Sequence, residues 1–119
     1  MIDELAAPDY VGHTPAEPEP IVGRAAARAN FERFIAAFPD GRLAVDEQVV
    51  AGSLVTTRWT ARGTHTGELA GIAPTGREIT VSGLTLSRLD GGTVVEQWTS
   101  WDRLGLLVQL GAVAEPTHA

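Results

Sequence analysis

Neither cysteine nor lysine occurs among the 119 residues of this chain. Without cysteine there is no thiol nucleophile, no disulfide framework and no thiolate metal site. Without lysine there is no Schiff-base amine and no phosphate-binding P-loop. Ser53, Ser82, Ser87 and Ser100 stand in no G-x-S-x-G context, and no G-x-G-x-x-G pattern occurs. The three histidines, His13, His65 and His118, lack the H-E-x-x-H spacing or any comparable one, so no metal site is expected. The only basic residues are nine scattered arginines against a net charge of −6, which speaks against a nucleic-acid partner. No apolar run approaches the roughly 20 residues that cross a bilayer. The opening MIDELAAPDY has no basic region followed by an apolar one, so the expectation is a cytoplasmic protein with no membrane contact. If the chain is an enzyme, what is left to it is carboxylate or histidine acid/base chemistry.

What is present fits one domain. The hydrophobic fraction of 44% and charged fraction of 20% are those of an ordinary globular chain long enough to bury a core. Residues 1–20 read as an acidic lead and a Pro-rich loop over 15–20. From 21 to 38, Ala27, Phe31, Phe34, Ile35 and Phe38 recur at helical spacing, which predicts an amphipathic helix whose phenylalanines pack into the core, stopped by Pro39-Asp40-Gly41. Alternation then takes over. Strands are predicted over 43–51, 54–65, 78–88 and 93–101, with Asp90-Gly91-Gly92 as a hairpin turn. In 54–65, Val55, Thr57, Trp59, Ala61, Gly63 and His65 share the inward face and the arginines the outward one. In 78–88 the apolar parity changes after Val81, which suggests a β-bulge at Ser82-Gly83. In 93–101, Val94, Glu96, Trp98 and Ser100 share a face. A short helical turn over 103–110, ended by Gly111, closes the domain. The resulting picture is an α+β fold in which a helix covers a bent antiparallel sheet and leaves an apolar pocket.

Thr64-His65-Thr66-Gly67, Pro74-Thr75-Gly76, Asp90-Gly91-Gly92, Glu96-x-Trp98-x-x-x-Asp102 and Gly105-Leu106-Leu107-x-Gln109-Leu110-Gly111 occur in that order. Ala7-Pro8-Asp9-Tyr10-Val11 and His13 precede them. Together these segments resemble the SnoaL-like polyketide cyclases, or ester cyclases, of the nuclear-transport-factor-two-like superfamily, over nearly the whole chain. The resemblance implies a curved sheet wrapped by helices into a cone-shaped barrel with an internal pocket, and a homodimer formed through the sheet. It also implies a cofactor-independent intramolecular aldol closure of a ketide-like substrate, with an aspartate as acid/base carried over to Asp102. Related folds serve as isomerases, epoxide hydrolases and binding modules, so the alternatives are a non-catalytic small-molecule binding module and a related isomerase or epoxide hydrolase using the same pocket. Family members have a full helix before the part matching 5–13. Here four residues stand there, so either the natural start lies upstream or part of the pocket is left open or covered by a partner subunit.

Two readings attach to Asp102. If strand 93–101 stays regular, it lies inward with Trp98, where lost hydration favours its neutral form. By position alone it is a helix N-cap, and the two roles are compatible. His65, on the Trp59 face, is a second catalytic candidate. Tyr10, His13, Trp59 and Trp98 are the candidate substrate contacts for a small apolar organic molecule. Glu96 needs a partner such as Arg88 or Arg58 and is read as structural.

Overall fold

The computed structural model describes residues 6–14 and 19–112. The acidic lead up to residue 5, most of the Pro-rich loop and the tail with His118 lie outside the described residues. The elements are β1 (Ala6–His13), β2 (Ile21–Val22), α1 (Arg24–Ala37), β3 (Arg42–Ala51), β4 (Leu54–Thr64), β5 (Glu78–Asp90), β6 (Thr93–Trp101) and α2 (Arg103–Gln109). The strands form one six-stranded sheet in the order β2-β1-β6-β5-β4-β3. It is curved, and it stays open, with β2 and β3 as its edges. Among the described residues no helix is long and apolar enough to cross a membrane.

Three differences from the sequence reading matter for the site. First, β1 is a strand where a lead and loop were expected, and it pairs with β6 in parallel, so the sheet is not wholly antiparallel. Pro8 can donate no ladder hydrogen bond, and the register between Ala6 and Val11 is irregular there, which lets a proline-containing strand pair at all. Second, β5 pairs with β4 without a break from Arg88 to Glu78, so Ser82-Gly83 is not a bulge. Gly83 is small for another reason: a Cβ there would stand 2.5 Å from Trp59 Cζ2 and 2.8 Å from the Ser100 carbonyl. Leu84 and Leu86 simply face outward, because the outer side of this sheet is apolar too. Third, Arg88 pairs with Glu96 but Leu89 with Val94, leaving Val95 as the extra residue of a bulge. Val94 therefore packs inward beside Ala6, Tyr10 and Ala27, and beyond the bulge the parity inverts.

Turns and edges follow local chemistry. The β5–β6 hairpin turns on Gly91 and Gly92, both at positive φ (60° and 86°), as a two-residue turn of the primed type requires. Edge strand β3 is exposed along its whole length. Its register shifts at Asp46, and it carries charge there, with Asp46 and Glu47 facing Arg58 at 3.7 and 3.5 Å; both features discourage edge-to-edge pairing. The helix α1 ends against the loop after β4, where Thr66 and Gly67 donate their N–H groups to the Ala37 carbonyl, each at 3.1 Å. Nearby, Asp40 accepts hydrogen bonds from the Thr64 N–H and hydroxyl, each at 2.8 Å.

Those two hydrogen bonds, backbone first, hold the Asp40 carboxyl below its ordinary range. A depressed carboxyl contributes stability that is present above its unfolded pKa and lost as pH falls through the folded value. Asp40→Asn is therefore expected to flatten the acid limb of a stability-versus-pH curve. Denaturation between neutral pH and the acid range checks this, and an unchanged limb would refute it.

Candidate active site

A cavity of about 510 Å³ lies between α1 and the inner face of the sheet. Its roof is the α1 stripe of Ala27, Phe31, Phe34 and Ile35 with Phe38 just beyond the helix end, and its floor is Trp59, Ala61, Ile79, Val81, Thr99 and Trp101. The phenylalanines expected in the core divide in two. Phe38 is buried in the core with Ile79, Val81 and Leu106, whereas Phe31 is 53% exposed and lines the cavity with Ile35, which is 46% exposed. A helix that served only as a core lid would bury that stripe; this one leaves apolar surface at an opening. Phe34 meets Trp101 edge to face at 5.9 Å.

Polar groups on the inner face are few and tied to one another. Tyr10 donates its hydroxyl hydrogen to Gln97 Oε1 at 2.8 Å, and Gln97 Nε2 donates to Ser87 Oγ at 2.9 Å. Trp59 Nε1 donates to Thr85 Oγ1 at 3.0 Å, and Thr85 meets Thr99 at 3.2 Å. Burial raises the Tyr10 pKa above its ordinary value, so the phenol is neutral at physiological pH. Among the described residues that line the cavity there is no carboxylate; the ionisable ones are Tyr10, His13, Arg42 and Arg62.

The structure sorts the sequence-derived candidates. Tyr10 and Trp59 line the cavity. Trp98 does not: the Val95 bulge turns it to the outer face, into a groove of about 340 Å³ with Leu84, Leu86 and Ser100. His13 lines both cavity and groove. Its ring stacks on Trp98 at 5.5 Å, and its Nε2 lies 2.8 Å from Glu96 Oε2. Glu96 also accepts from Arg88 Nη1 at 2.9 Å, and the Arg88 guanidinium lies over the Trp98 ring. Arg88 is thus the partner sought for Glu96, while Arg58 serves β3.

His65 and Asp102 are placed away from the cavity. His65 is fully buried behind Phe38, and its Nδ1 accepts the Thr75 N–H at 3.2 Å and meets the Thr75 hydroxyl at 3.0 Å. That contact leaves the ring proton on Nε2, which has no hydrogen-bond partner. His65 therefore pins the loop over 66–76, whose Gly76 N–H also donates to the His65 carbonyl. Asp102 is exposed at the N-cap of α2, and its Oδ1 accepts the Gly105 N–H at 2.8 Å. β6 stops at Trp101, and beyond the Val95 bulge its inward residues are Gln97, Thr99 and Trp101, so position 102 falls on the parity of Trp98 and Ser100, away from the cavity. As a cap, Asp102→Ala should cost about 0.5 to 2 kcal/mol and Asp102→Asn almost nothing. Thermal denaturation of the two variants decides; equal destabilisation by both would count against the cap.

Gln97, Ser87 and Phe34 were not singled out from the sequence as site residues. The one sequence signal for Gln97 was the doubled Val94-Val95 at the start of a strand, where an extra apolar residue shifts the alternation.

Comparison with known proteins bears on the whole domain. A search of curated proteins finds no match. Among solved structures, IdmH of Streptomyces antibioticus, a candidate polyketide cyclase, is 39% identical, with 92% of this chain and 84% of that one covered at a TM-score of 0.79. AclR of Streptomyces galilaeus, a candidate hydroxylase, is 31% identical over 96% of this chain and 71% of that one, with a TM-score of 0.82. A SnoaL-like protein from Jannaschia superposes with a TM-score of 0.86 over 97% of this chain and 78% of its own, at 23% identity, and shares the fold. The model of the SnoaL-like polyketide cyclases matches residues 1–110. A match of that extent, on a curved sheet under one long helix, places this chain in the SnoaL-like polyketide cyclase family.

Proposed function

We propose that this protein is a cytoplasmic, cofactor-independent cyclase that folds a small, apolar, ketide-like molecule in the cavity under α1 and closes a ring by intramolecular aldol addition. The observation that carries the reading is a cavity of about 510 Å³ whose walls are apolar apart from a few placed groups, Tyr10, Gln97 and His13 among them. Such walls bring two carbons of one chain together, and that positioning alone lowers the barrier by several kcal/mol. The chemistry balances within the substrate. A base takes a proton from the carbon beside one carbonyl, and the enolate carbon bonds to a second carbonyl carbon. That carbonyl's electron pair moves to its oxygen, which takes a proton back. His13 is the cavity-lining group whose imidazole can exchange a proton, with Glu96 behind it to orient the ring. Asp102, placed as it is, serves as a cap.

The absence of a carboxylate from the described lining favours one second reading, a non-catalytic binding module for the same class of molecule. Both readings predict that aromatic ketones quench the fluorescence of Trp59 and Trp101, and that Ala61→Phe, which fills the floor, abolishes the effect. Incubation with a linear aromatic 1,5-diketone, whose enolisable end carbon can close a six-membered ring on the far carbonyl, separates them: a cyclised aldol product isomeric with the substrate supports the cyclase, and tight binding with the substrate recovered intact supports the module. If no ketone binds, both fall.

We also propose a homodimer through the outer face, where Val49 and Leu84 are 60% and 51% exposed beside the Trp98 groove. Light scattering tests it; a monomer at every concentration, or a dimer unaffected by Leu84→Glu, would refute it.

A further inference from the structure

We propose that Ser87 and Gln97 form a reversible relay behind Tyr10, letting its single hydroxyl contact a substrate oxygen both as a carbonyl and as the hydroxyl that ring closure makes of it. The proposal rests on the cavity being the substrate site.

The geometry comes from three strands. Gln97 on β6 stands directly opposite Ser87 on β5, and Tyr10 reaches Gln97 from β1. The Tyr10 ring lies back over Gly12, where a Cβ would stand 2.5 Å from its hydroxyl oxygen, so a side chain at position 12 would displace the phenol. Tyr10 and Gln97 line the cavity; Ser87 is buried and does not. The chain is thus a hydroxyl, a primary amide and a second hydroxyl, at 2.8 and 2.9 Å.

A hydroxyl at each end both donates and accepts, so the amide can sit either way round with the same two hydrogen bonds. With Oε1 toward Tyr10, the phenol donates to Gln97 and turns its free lone pair to the cavity, ready to accept from a substrate hydroxyl. With Nε2 toward Tyr10, the amide donates to the phenol oxygen and Ser87 donates to the amide. The Tyr10 proton is then free to point at a carbonyl oxygen. An aldol closure converts one such oxygen into the other. Gln97 and Ser87 are positioning residues, since they act through Tyr10.

Three probes read the relay: naphthalene, 2-naphthol and 2-acetonaphthone, titrated by tryptophan fluorescence. The native protein should bind naphthol and acetonaphthone with affinities within a few-fold of each other. In Gln97→Glu the carboxylate only accepts, so Tyr10 is locked as a donor to it. Acetonaphthone should then weaken about tenfold, the loss of one hydrogen bond, with naphthol unaffected. Ser87→Asp should produce the same change without touching the ligand, because a carboxylate there holds Nε2 and turns Oε1 to Tyr10. Ser87→Ala should leave the ratio near its native value. Equal weakening of both probes in the Glu and Asp variants, or no change in either, overturns the relay. Failure of native protein to bind naphthalene overturns the cavity reading instead. The relay is then decided without ligand, because Tyr10 is the only tyrosine of the chain. Its tyrosinate absorbance should move to higher pH in Gln97→Glu, and an unmoved titration overturns the relay.

Discussion

Gly67→Ala is expected to destabilise the domain by about 3 kcal/mol, the upper end of what overpacking costs, because the new methyl group has no soft neighbour to displace. A Cβ at Gly67 would collide with the Ala36 carbonyl oxygen and crowd Ala37 Cα at 3.1 Å, both of them backbone at the end of α1. The same glycine donates its N–H to Ala37, so withdrawing the loop to make room also strips the helix end of a hydrogen bond. Gly71, in the same loop at φ 82°, has nothing within 4 Å of a Cβ. Gly71→Ala should therefore cost only the backbone penalty of about 1 kcal/mol. Urea denaturation of the pair checks the contrast. Equal effects would show that the conformation of the loop matters and its close contact with α1 does not.

His13→Gln is expected to lower turnover of a ketide-like substrate by about a hundredfold, the lower range for loss of a general acid or base, with affinity for an unreactive ketone little changed. Glutamine keeps a hydrogen bond to Glu96 but cannot exchange a proton. Glu96→Gln should cost less, about tenfold, since it loses the charge that orients the imidazole while its contacts to His13 and Arg88 can persist. Single-turnover kinetics with separate binding curves is the measurement. Unchanged turnover in His13→Gln would remove His13 from the chemistry, and a fall in affinity matching the fall in rate would make it a binding group only.

The inward set of β4 could be read directly, because that strand has one wet face and one covered face and its arginines and apolar residues alternate without interruption. The Gly91-Gly92 turn was legible because two successive positive φ angles leave little choice of residue. β1 was not legible: Pro8 masks its alternation, and its partner β6 lies more than eighty residues away in sequence, as the Ala6–Val94 pairing shows. Leu84 and Leu86 suggested a bulge because an apolar outer face was not anticipated. The position of Trp98 depended on Val95, whose bulge exists only in the pairing of β5 with β6.

By itself the sequence determined the class of the fold, the order of its elements from α1 to α2, the chemistry it must do without and the inward place of Trp59, since all of these follow from local propensity, periodicity and residue type. Family membership was readable for the same reason, through motifs at turns and strand ends. Which polar groups face the cavity was decided only by tertiary structure. One extra residue in β6 exchanged Glu96 and Trp98 for Gln97 and Thr99, and the end of that strand at Trp101 left Asp102 as a cap on α2. A strand has a period of two, so a single displaced residue moves every later side chain to the other side of the sheet. Whether a residue is displaced depends on the neighbouring strand.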